Sequence, residues 1–318
     1  SWRADMARPH PEVHDLVARR ERARERRDFA LADRLREEVR QAGWLLRDTP
    51  AGPELVAAPP FELTDPDQLE ARWAEPDAHD LSVVVHVTGW PQDVARASAA
   101  LARHSGRHDY EVVLVADGAA EEAGLALEEL AAADGRVRVL HLEPAVGFGR
   151  SMNLGLGQAR GRVLVWLDPH VEATGDLFAP LLDALAGPGA GLAGGWGVTS
   201  RSMLEFDADD GPEVDAVEGY LLAVPRELAA QVELDPRDRY YRNADLDYSF
   251  AVRALGRRAV RTPVPASRHR HRGWHDTDPA DRDRASRKNY DRFLRRWRAR
   301  TDLLTKGFTG YHRHHDQA

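Results

Sequence analysis

The sequence predicts an α/β fold in which a mostly parallel sheet is covered by helices on both faces, with a small helical hairpin in front of it. From residue 80 onward, short β-branched runs alternate with helix-forming stretches at the spacing of right-handed β-α-β units. Before residue 57 the sequence is instead charge-dense with helical periodicity. At 318 residues the chain is long enough to bury a sizeable core.

The predicted strands are rich in β-branched residues and span Leu81–Val87, Glu111–Val115, Val137–Leu142 and Val163–Leu167. The helices predicted between them span 92–104, 121–133 and 149–160. In open parallel sheets, ligands bind beyond the carboxyl ends of the strands. The segments that begin at Thr88, Ala116 and Asp168 are therefore the first candidates for a site.

Composition and charge exclude several classes of protein. The chain has 44 Lys and Arg against 52 Asp and Glu, a net charge of −8, so nucleic acid is not an expected partner of the whole chain. The absence of Cys excludes disulfides, thiolate zinc sites and a Cys nucleophile. The sequence has neither an apolar run of membrane-spanning length nor an apolar signal region, which predicts a cytoplasmic protein without an integral membrane segment.

The N-terminal region is predicted to form two antiparallel helices followed by a short extended piece that ends at Leu55. Asp28 is placed to cap the second helix, and Gly43 suits the left-handed position just beyond its end. The predicted domains are the hairpin at 1–57, a Pro-rich linker at 58–79, the α/β domain at 80–275, and a C-terminal helix with a polar tail at 276–318.

Asp168 and His170 directly follow an apolar strand. If the backbone stays extended, residues i and i+2 point to the same side, and the two side chains can hold one metal ion. A carboxylate combined with an imidazole suits a Mn-like divalent ion. Alternatively, Asp168 caps the next element and His170 lies in a surface turn.

A helix predicted from Asp245 onward turns Leu246 and Phe250 inward and Asp247 outward. Asp245 then lies in the first helical turn, where the positive end of the helix dipole stabilises a carboxylate. It is a candidate general base, or else simply an N-cap.

His269 and His271 alternate with arginines in a short basic segment. The segment could supply a metal ligand together with guanidinium groups for a diphosphate. It could equally be a solvated basic edge strand.

The glycine-rich stretch from Gly147 to Gly155 has the look of a dinucleotide-binding fingerprint. Two β-α units precede it, however, whereas the fingerprint should follow the first strand. Gly155 and Gly161 are therefore interpreted as packing glycines, while Arg150 and Asn153 remain candidates to face a ligand.

Taken in chain order, these segments resemble the family 2 glycosyltransferases of the GT-A fold, which has the Rossmann-like mixed sheet of nucleotide-diphospho-sugar transferases. The resemblance covers about residues 80–275. The matching positions are Asp117, Gly118, Gly147, Asn153, Gly155, Gly161, Asp168, His170, Gly219 and Asp245.

The resemblance implies a glycosyltransferase that moves a sugar from a nucleotide-diphosphate donor, most often UDP-linked, to a hydroxyl acceptor. It implies that a divalent metal, Mn or Mg, bridges the protein and the diphosphate. The donor contacts that it implies are Asp117, Arg150, Asn153 and Asp168, and the metal ligands are Asp168, His170 and His271.

Asp245 stands where the family has its general base, which implies inversion at the sugar carbon. The Asp-x-His variant resembles the polypeptide N-acetylgalactosaminyltransferases, which use a later histidine as a metal ligand. That resemblance favours His271 as third ligand, with His269 in reserve. Those enzymes retain configuration and lack an aspartate at this position, so Asp245 favours inversion here.

Three positions depart from the family pattern: Ala116, Ala145 and Ala244 replace residues that are usually polar. They motivate the alternative of a non-catalytic protein that binds a nucleotide sugar or docks a partner on a GT-A scaffold.

Residues 12–54 resemble the carboxy-terminal end of cysteinyl-tRNA synthetases, through the stretches Arg22–Arg36 and Gly43–Gly52. Its arginines are interleaved with glutamates, so the hairpin face is mixed in charge. A packing or homo-dimerisation element is the favoured interpretation, and an RNA-linked role is the other.

Overall fold

The computed structural model describes residues 9–49, 52–104 and 108–311. The chain divides into two compact units, Ser1–Glu62 and Leu63–Ala318. Among the helices of the described ranges, none is long and apolar enough to cross a membrane.

The N-terminal unit is a helical hairpin followed by a two-stranded antiparallel sheet. Its elements are α1 (Pro11–Glu25), α2 (Phe29–Gln41), β1 (Trp44–Thr49) and β2 (Gly52–Ala57). As predicted, the Asp28 side chain caps α2 by accepting a hydrogen bond from the Leu31 amide at 3.0 Å. Gly43 adopts a φ of +84° just beyond the helix, also as predicted. The extended piece predicted after α2 is a pair of strands.

The larger unit alternates strands and helices up to α6 and is then irregular. In chain order its elements are β3 (His79–Val87), α3 (Pro91–His104), β4 (Tyr110–Asp117), α4 (Glu121–Ala133), β5 (Val137–Leu142), α5 (Phe148–Gln158), β6 (Gly161–Leu167), β7 (Val171–Ala173), α6 (Phe178–Leu185), β8 (Ala190–Gly194), β9 (Gly197–Thr199), β10 (Asp207–Ala208), β11 (Glu213–Val214), β12 (Ala216–Val217), β13 (Leu221–Pro225), α7 (Arg226–Ala229), α8 (Ala244–Ala254), β14 (Arg258–Arg261), β15 (Ala266–Arg268), α9 (Arg272–His275) and α10 (Pro279–Trp297). A short 3₁₀ turn at Thr301–Leu303 follows.

Within the described residues the main sheet has eight strands in the order β11-β14-β8-β13-β6-β3-β4-β5. Strands β6, β3, β4 and β5 are parallel, and β13 runs antiparallel to both of its neighbours. The sheet is therefore mixed. The strands and helices predicted between residues 80 and 167 begin and end within two residues of the observed elements.

Two glycines let α5 and β6 pack closely, as interpreted from the sequence. A Cβ at Gly155 would lie 2.4 Å from Cγ2 of Val115, on the sheet beneath the helix. A Cβ at Gly161 would lie 2.2 Å from the backbone nitrogen of Ser82 on the neighbouring strand. Both contacts are too short for any larger residue, because closely packed interiors leave no room for an added methyl group.

The chain on either side of the α/β core packs against it. Residues 63–79, part of the predicted linker, hydrogen-bond to the α/β core. The Thr64 amide donates to the His141 carbonyl and the Arg72 amide to the Gly157 carbonyl, both at 2.7 Å. The predicted histidine-rich end of the polar tail, at 312–318, lies outside the described residues.

The C-terminal helix α10 covers one face of α8. Phe293 packs edge-on against Phe250 of α8, with ring centroids 5.0 Å apart. Asp247, which the helical pattern turned outward, is 5% exposed and accepts a 2.6 Å hydrogen bond from Nε1 of Trp297. That orientation was wrong because α10 supplies both a covering face and a hydrogen-bond donor for a carboxylate that would otherwise need water.

Candidate active site

Asp168 and His170 lie in the turn that joins β6 to β7, at the carboxyl end of a central strand. Oδ1 of Asp168 accepts from the His170 backbone amide at 2.8 Å and contacts Nδ1 of the His170 ring at 2.7 Å. The two side chains thus meet through a turn and not through strand alternation, because the strand ends at Leu167 and Pro169 begins the turn. His170 is 3% exposed, which excludes the surface-turn alternative.

His271 reaches the same carboxylate from a distant segment. It precedes α9, and its Nε2 lies 3.0 Å from Oδ2 of Asp168. Its ring stacks on His170 with centroids 4.2 Å apart, and Tyr241 stacks on His271 at 4.5 Å. The ligand-type atoms of Asp168, His170 and His271 all lie within 4.8 Å of one another. The structure therefore brings together the three residues predicted as metal ligands.

The electrostatics of the cluster favour an ionised carboxylate. Burial opposes ionisation of Asp168, but hydrogen bonds from His170 and His271 outweigh it and hold the pKa of Asp168 well below its usual range. Asp168 thus offers a full negative charge between two imidazoles.

This donor set fits a divalent cation. Neighbouring ligands of an octahedral ion, each about 2.1 Å from it, are separated by about 3 Å. The Asp168 contacts to His170 and His271 measure 2.7 and 3.0 Å, so small movements would admit an ion among the three. One carboxylate and two imidazoles are a mixed donor set of the kind that accepts Mn²⁺.

His269, the reserve ligand, lies outside this cluster. Its Nε2 contacts Oε2 of Glu172 at 2.6 Å on an exposed part of the β7 and β15 pair. His271 and His269 are two residues apart in sequence, yet their rings have different carboxylate partners.

Asp245 lies in the first turn of α8, as predicted. Its Oδ2 accepts from the Gly219 amide at 2.8 Å, and its Oδ1 accepts from the Leu246 amide at 3.0 Å. Burial raises the pKa of the Asp245 carboxyl, and these two backbone hydrogen bonds offset only part of that effect. Gly219 must be glycine here, because a Cβ would lie 2.9 Å from the Trp166 ring and 3.4 Å from Cβ of Asp245.

One cleft connects Asp245 with Asp168. Its walls are largely aromatic and include Phe148, Trp166, Phe206, Tyr220 and Tyr241. Aromatic side chains present apolar faces with a few polar tips, a surface suited to the mixed polarity of a sugar ring. The cleft therefore offers two carboxylates, Asp168 and Asp245, together with aromatic faces.

Sequence reasoning missed two cleft residues. Glu218 lines the cleft beside Asp245, and burial together with the Asp245 charge raises its pKa. Tyr241 stacks on His271, and burial raises its pKa far above the usual value. Their side-chain directions depend on loops without periodicity, which gave no signal in the sequence.

The residues predicted to contact the donor near β4 and α5 are engaged within the protein. The Asp117 carboxylate accepts from the Val146 and Gly147 amides at 2.7 and 2.9 Å and so anchors the loop before α5. Asn153 exchanges two hydrogen bonds with the backbone of Leu234, both at 2.9 Å. Nucleotide contacts by these residues stay predictions.

Arg150 also has a partner from its own unit. Its Nη2 donates to a carboxylate oxygen of Asp67 at 2.5 Å, on the exposed side of α5. Since Asp67 is largely exposed, this ion pair is solvated and easily exchanged, and a donor contact by Arg150 also stays a prediction.

Two family models match the chain. Residues 82–230 match glycosyl transferase family 2, and residues 9–52 match the cysteinyl-tRNA ligase anticodon binding domain. Both resemblances inferred from the sequence are thereby confirmed.

Curated relatives match separate parts of the chain. A cysteine–tRNA ligase of Rubrobacter xylanophilus is 61% identical over 44 residues, which is 14% of this chain and 9% of the ligase. A Drosophila melanogaster protein is 28% identical over 172 residues, which is 45% of this chain and 30% of that protein. Its name describes it as an inactive polypeptide N-acetylgalactosaminyltransferase 12. The chain thus spans less than a third of either relative.

Among solved structures, a crystal structure of GalNAc-T7 with UDP, GalNAc and Mn²⁺ is similar to this chain, with a TM-score of 0.59 and 20% identity. The match covers 70% of this chain and 49% of that one. At this identity the similarity establishes the fold, and the predicted GT-A architecture is confirmed.

Proposed function

We propose that the larger unit is a metal-dependent, inverting glycosyltransferase that moves a sugar from a nucleoside-diphosphate donor to a hydroxyl acceptor. The observation that carries this proposal is a cleft lined by both Asp245 and Asp168, the carboxylate that His170 and His271 contact. The match to glycosyl transferase family 2 over residues 82–230 supports the reaction class. The whole protein's substrates are part of the proposal, because the chain spans only part of its relatives.

Asp168, His170 and His271 would hold the divalent cation. When bound, such a cation offsets negative charge on the departing diphosphate. Asp168 contributes the charged ligand, since its carboxyl is ionised well below neutral pH. We assign Mn²⁺ and a UDP-linked donor to this chain by analogy with the structure of GalNAc-T7 with UDP, GalNAc and Mn²⁺.

Asp245 acts as the general base. It accepts the proton of the acceptor hydroxyl, the acceptor oxygen bonds to the anomeric carbon, and the bond from that carbon to the diphosphate oxygen breaks on the opposite face. The diphosphate leaves with the electron pair of that bond, and the sugar configuration is inverted. Asp245 and Asp168 line the same cleft, which supports a base and a metal ligand that act on one bound sugar.

A second candidate is the non-catalytic scaffold, and one feature of Asp245 favours it. Each carboxylate oxygen of Asp245 already accepts a backbone hydrogen bond, from Gly219 and from Leu246. A carboxylate so engaged can serve only to hold the start of α8 against the Gly219 segment, and the Drosophila relative is named as inactive. Each oxygen has a further lone pair, however, so the engagement leaves room for a substrate proton.

Calorimetric titration shows whether the chain binds a nucleotide and whether that binding needs a metal ion. UDP, GDP, dTDP and CDP are each titrated into the full chain with Mn²⁺ and again with EDTA. The proposal expects saturable binding of UDP with Mn²⁺ and a large loss of affinity with EDTA, because the cation links the cluster to the diphosphate. Equal binding in EDTA would contradict the metal-dependent part. The absence of binding by any nucleotide would contradict the transferase and favour a scaffold that docks a partner.

The pH dependence of turnover is expected to follow Asp245. A base must be ionised to accept a proton, so kcat falls as the pH falls through its pKa. Because burial raises that pKa, the acid limb of kcat should lie above the value of about 3.9 typical of an aspartate. The measurement is kcat at saturating Mn²⁺ and donor, with UDP affinity recorded at each pH to separate metal loss from base protonation. An acid limb at or below pH 3.9 would contradict the assignment.

A further inference from the structure

Asp93 is a buried acidic residue beside the metal cluster that neither the sequence analysis nor the proposed mechanism uses. It lies in the first turn of α3 and is 2% exposed. Its Oδ1 accepts a hydrogen bond from Nη1 of Arg96 at 2.7 Å. Its Oδ2 accepts no hydrogen bond from the described residues, although such buried oxygens are normally satisfied.

Two side chains face that oxygen without making a hydrogen bond to it, and one of them, Arg272, is its ion-pair partner. Nε of Arg272 is 3.3 Å from Oδ2 of Asp93, and Nε2 of His170 is 3.6 Å from it. The side chains of His170 and Asp93 are both nearly inaccessible to water. The carboxylate therefore faces the side of the His170 ring that is turned away from Asp168.

Hydrogen bonds identify the tautomer of His170 within its cluster with Asp168 and His271. Nε2 accepts the backbone N–H of Arg272 at 3.0 Å, which requires an unprotonated Nε2. The ring proton is then on Nδ1, which donates to Oδ1 of Asp168 at 2.7 Å. In this state Asp93 has no role at the ring.

Cation binding reverses these requirements. The nitrogen that faces Asp168 is Nδ1, and its lone pair must be free for a metal, so a neutral ring carries its proton on Nε2. Nε2 can no longer accept from the Arg272 amide and needs an acceptor of its own. The carboxylate oxygen that faces Nε2, at 3.6 Å, is Oδ2 of Asp93, which accepts no hydrogen bond from the described residues.

We propose that Asp93 is a positioning residue that accepts the Nε2 proton of His170 and so holds this ring in its metal-binding tautomer. Metal-bound histidines commonly donate their second ring N–H to a carboxylate, which orients the ring and raises its basicity. This inference rests on the proposed function, since it requires the cluster to bind a cation. A ring rotation or loop shift of a few tenths of an ångström would bring the 3.6 Å contact into hydrogen-bond range.

The affinity of the full chain for Mn²⁺ alone, measured by calorimetry, tests the proposal. Asp93→Ala is expected to weaken binding by about 10- to 100-fold relative to wild type. Glu128→Gln is the matched control, because Glu128 is likewise a carboxylate that contacts a histidine, His141, outside the cluster. That variant should bind Mn²⁺ as wild type does.

Histidine side-chain nitrogen NMR provides a readout that a merely structural role of Asp93 would not move. Spectra are recorded with and without Mg²⁺, which is diamagnetic, and His170 is assigned with a His170→Gln variant. The wild-type ring should change from a protonated Nδ1 to a protonated Nε2 on metal addition. The role of Asp93 itself is tested by the same spectrum of Asp93→Leu, which keeps most of the side-chain volume and has no acceptor. The metal-bound Nε2–H signal should differ from that of wild type, and an identical signal would overturn the inference.

The outcomes separate failure of this inference from failure of the proposed function. If wild type binds neither Mn²⁺ nor Mg²⁺, the proposed metal site is contradicted, and so is the inference that depends on it. If wild type binds metal but Asp93→Ala binds it within twofold as tightly, Asp93 is an anchor for Arg96 and Arg272 only. A His170 ring that keeps its proton on Nδ1 with metal bound overturns the inference as well.

Discussion

Asp245→Asn is expected to lower kcat by about 10²- to 10⁴-fold while Mn²⁺-dependent UDP binding remains close to wild type. The amide has nearly the shape of the carboxylate and can keep one of its two backbone hydrogen bonds, but it cannot accept the acceptor proton. Donor turnover and calorimetric UDP affinity are measured on the same preparation. The contrast between lost turnover and retained binding identifies a base as distinct from a binding residue.

Asp247→Asn is the matched control for this variant. Asp247 lies two residues further along α8, faces away from the cleft and bonds to Trp297. Its substitution should lower the melting temperature, because the neutral amide cannot form the ion pair that the buried carboxylate makes with Arg296. The kcat per folded molecule should stay within a few-fold of wild type. Wild-type turnover in Asp245→Asn would remove this residue from the mechanism.

Asp168→Ala is expected to weaken Mn²⁺-dependent UDP binding by more than about 100-fold. Loss of residues that merely orient metal ligands typically costs 10- to 100-fold in affinity, and Asp168 is the charged ligand itself. Its removal also leaves the Asp168-facing nitrogens of His170 and His271 without their acceptor. The measurement is the titration of UDP with Mn²⁺, compared with the same titration in EDTA.

His269→Ala is the control, since His269 is close in sequence to the cluster but bonds to Glu172. It should leave the UDP affinity unchanged. Retention of wild-type Mn²⁺-dependent binding in Asp168→Ala would show that the cation, if required, is held elsewhere.

The sequence was most informative where local pattern and burial agree. The β-branched runs from Leu81 to Leu167 predict strands well, because the central strands of a parallel sheet are apolar on both faces. Asp28 and Gly43 were predictable because helix caps are chosen by local backbone requirements.

Features that depend on distant segments could not be predicted from the local sequence pattern. Nothing local distinguishes His271 from His269 geometrically; the loop before α9 makes the choice. Asp247 was assigned to the wrong face because a helical pattern does not reveal that α10 covers that face.

The role proposed for Asp93 has no sequence signature either. It depends on the first turn of α3, the turn after β6 and the segment before α9 meeting at one point. Such a three-way contact is a property of the tertiary fold and is absent from any motif around Asp93 itself.

The most direct test of the central claim is proton NMR of donor turnover. Wild type and Asp245→Asn are incubated with a panel of α-linked UDP-sugars and with Mg²⁺, which is diamagnetic, and water is the acceptor. The account predicts that wild type first releases the β-anomer of one sugar, and that release is lost in EDTA and in Asp245→Asn. Release of the α-anomer, or equal release by both proteins, would contradict an inverting transfer with Asp245 as base. UDP binding without turnover of any donor would favour the non-catalytic scaffold.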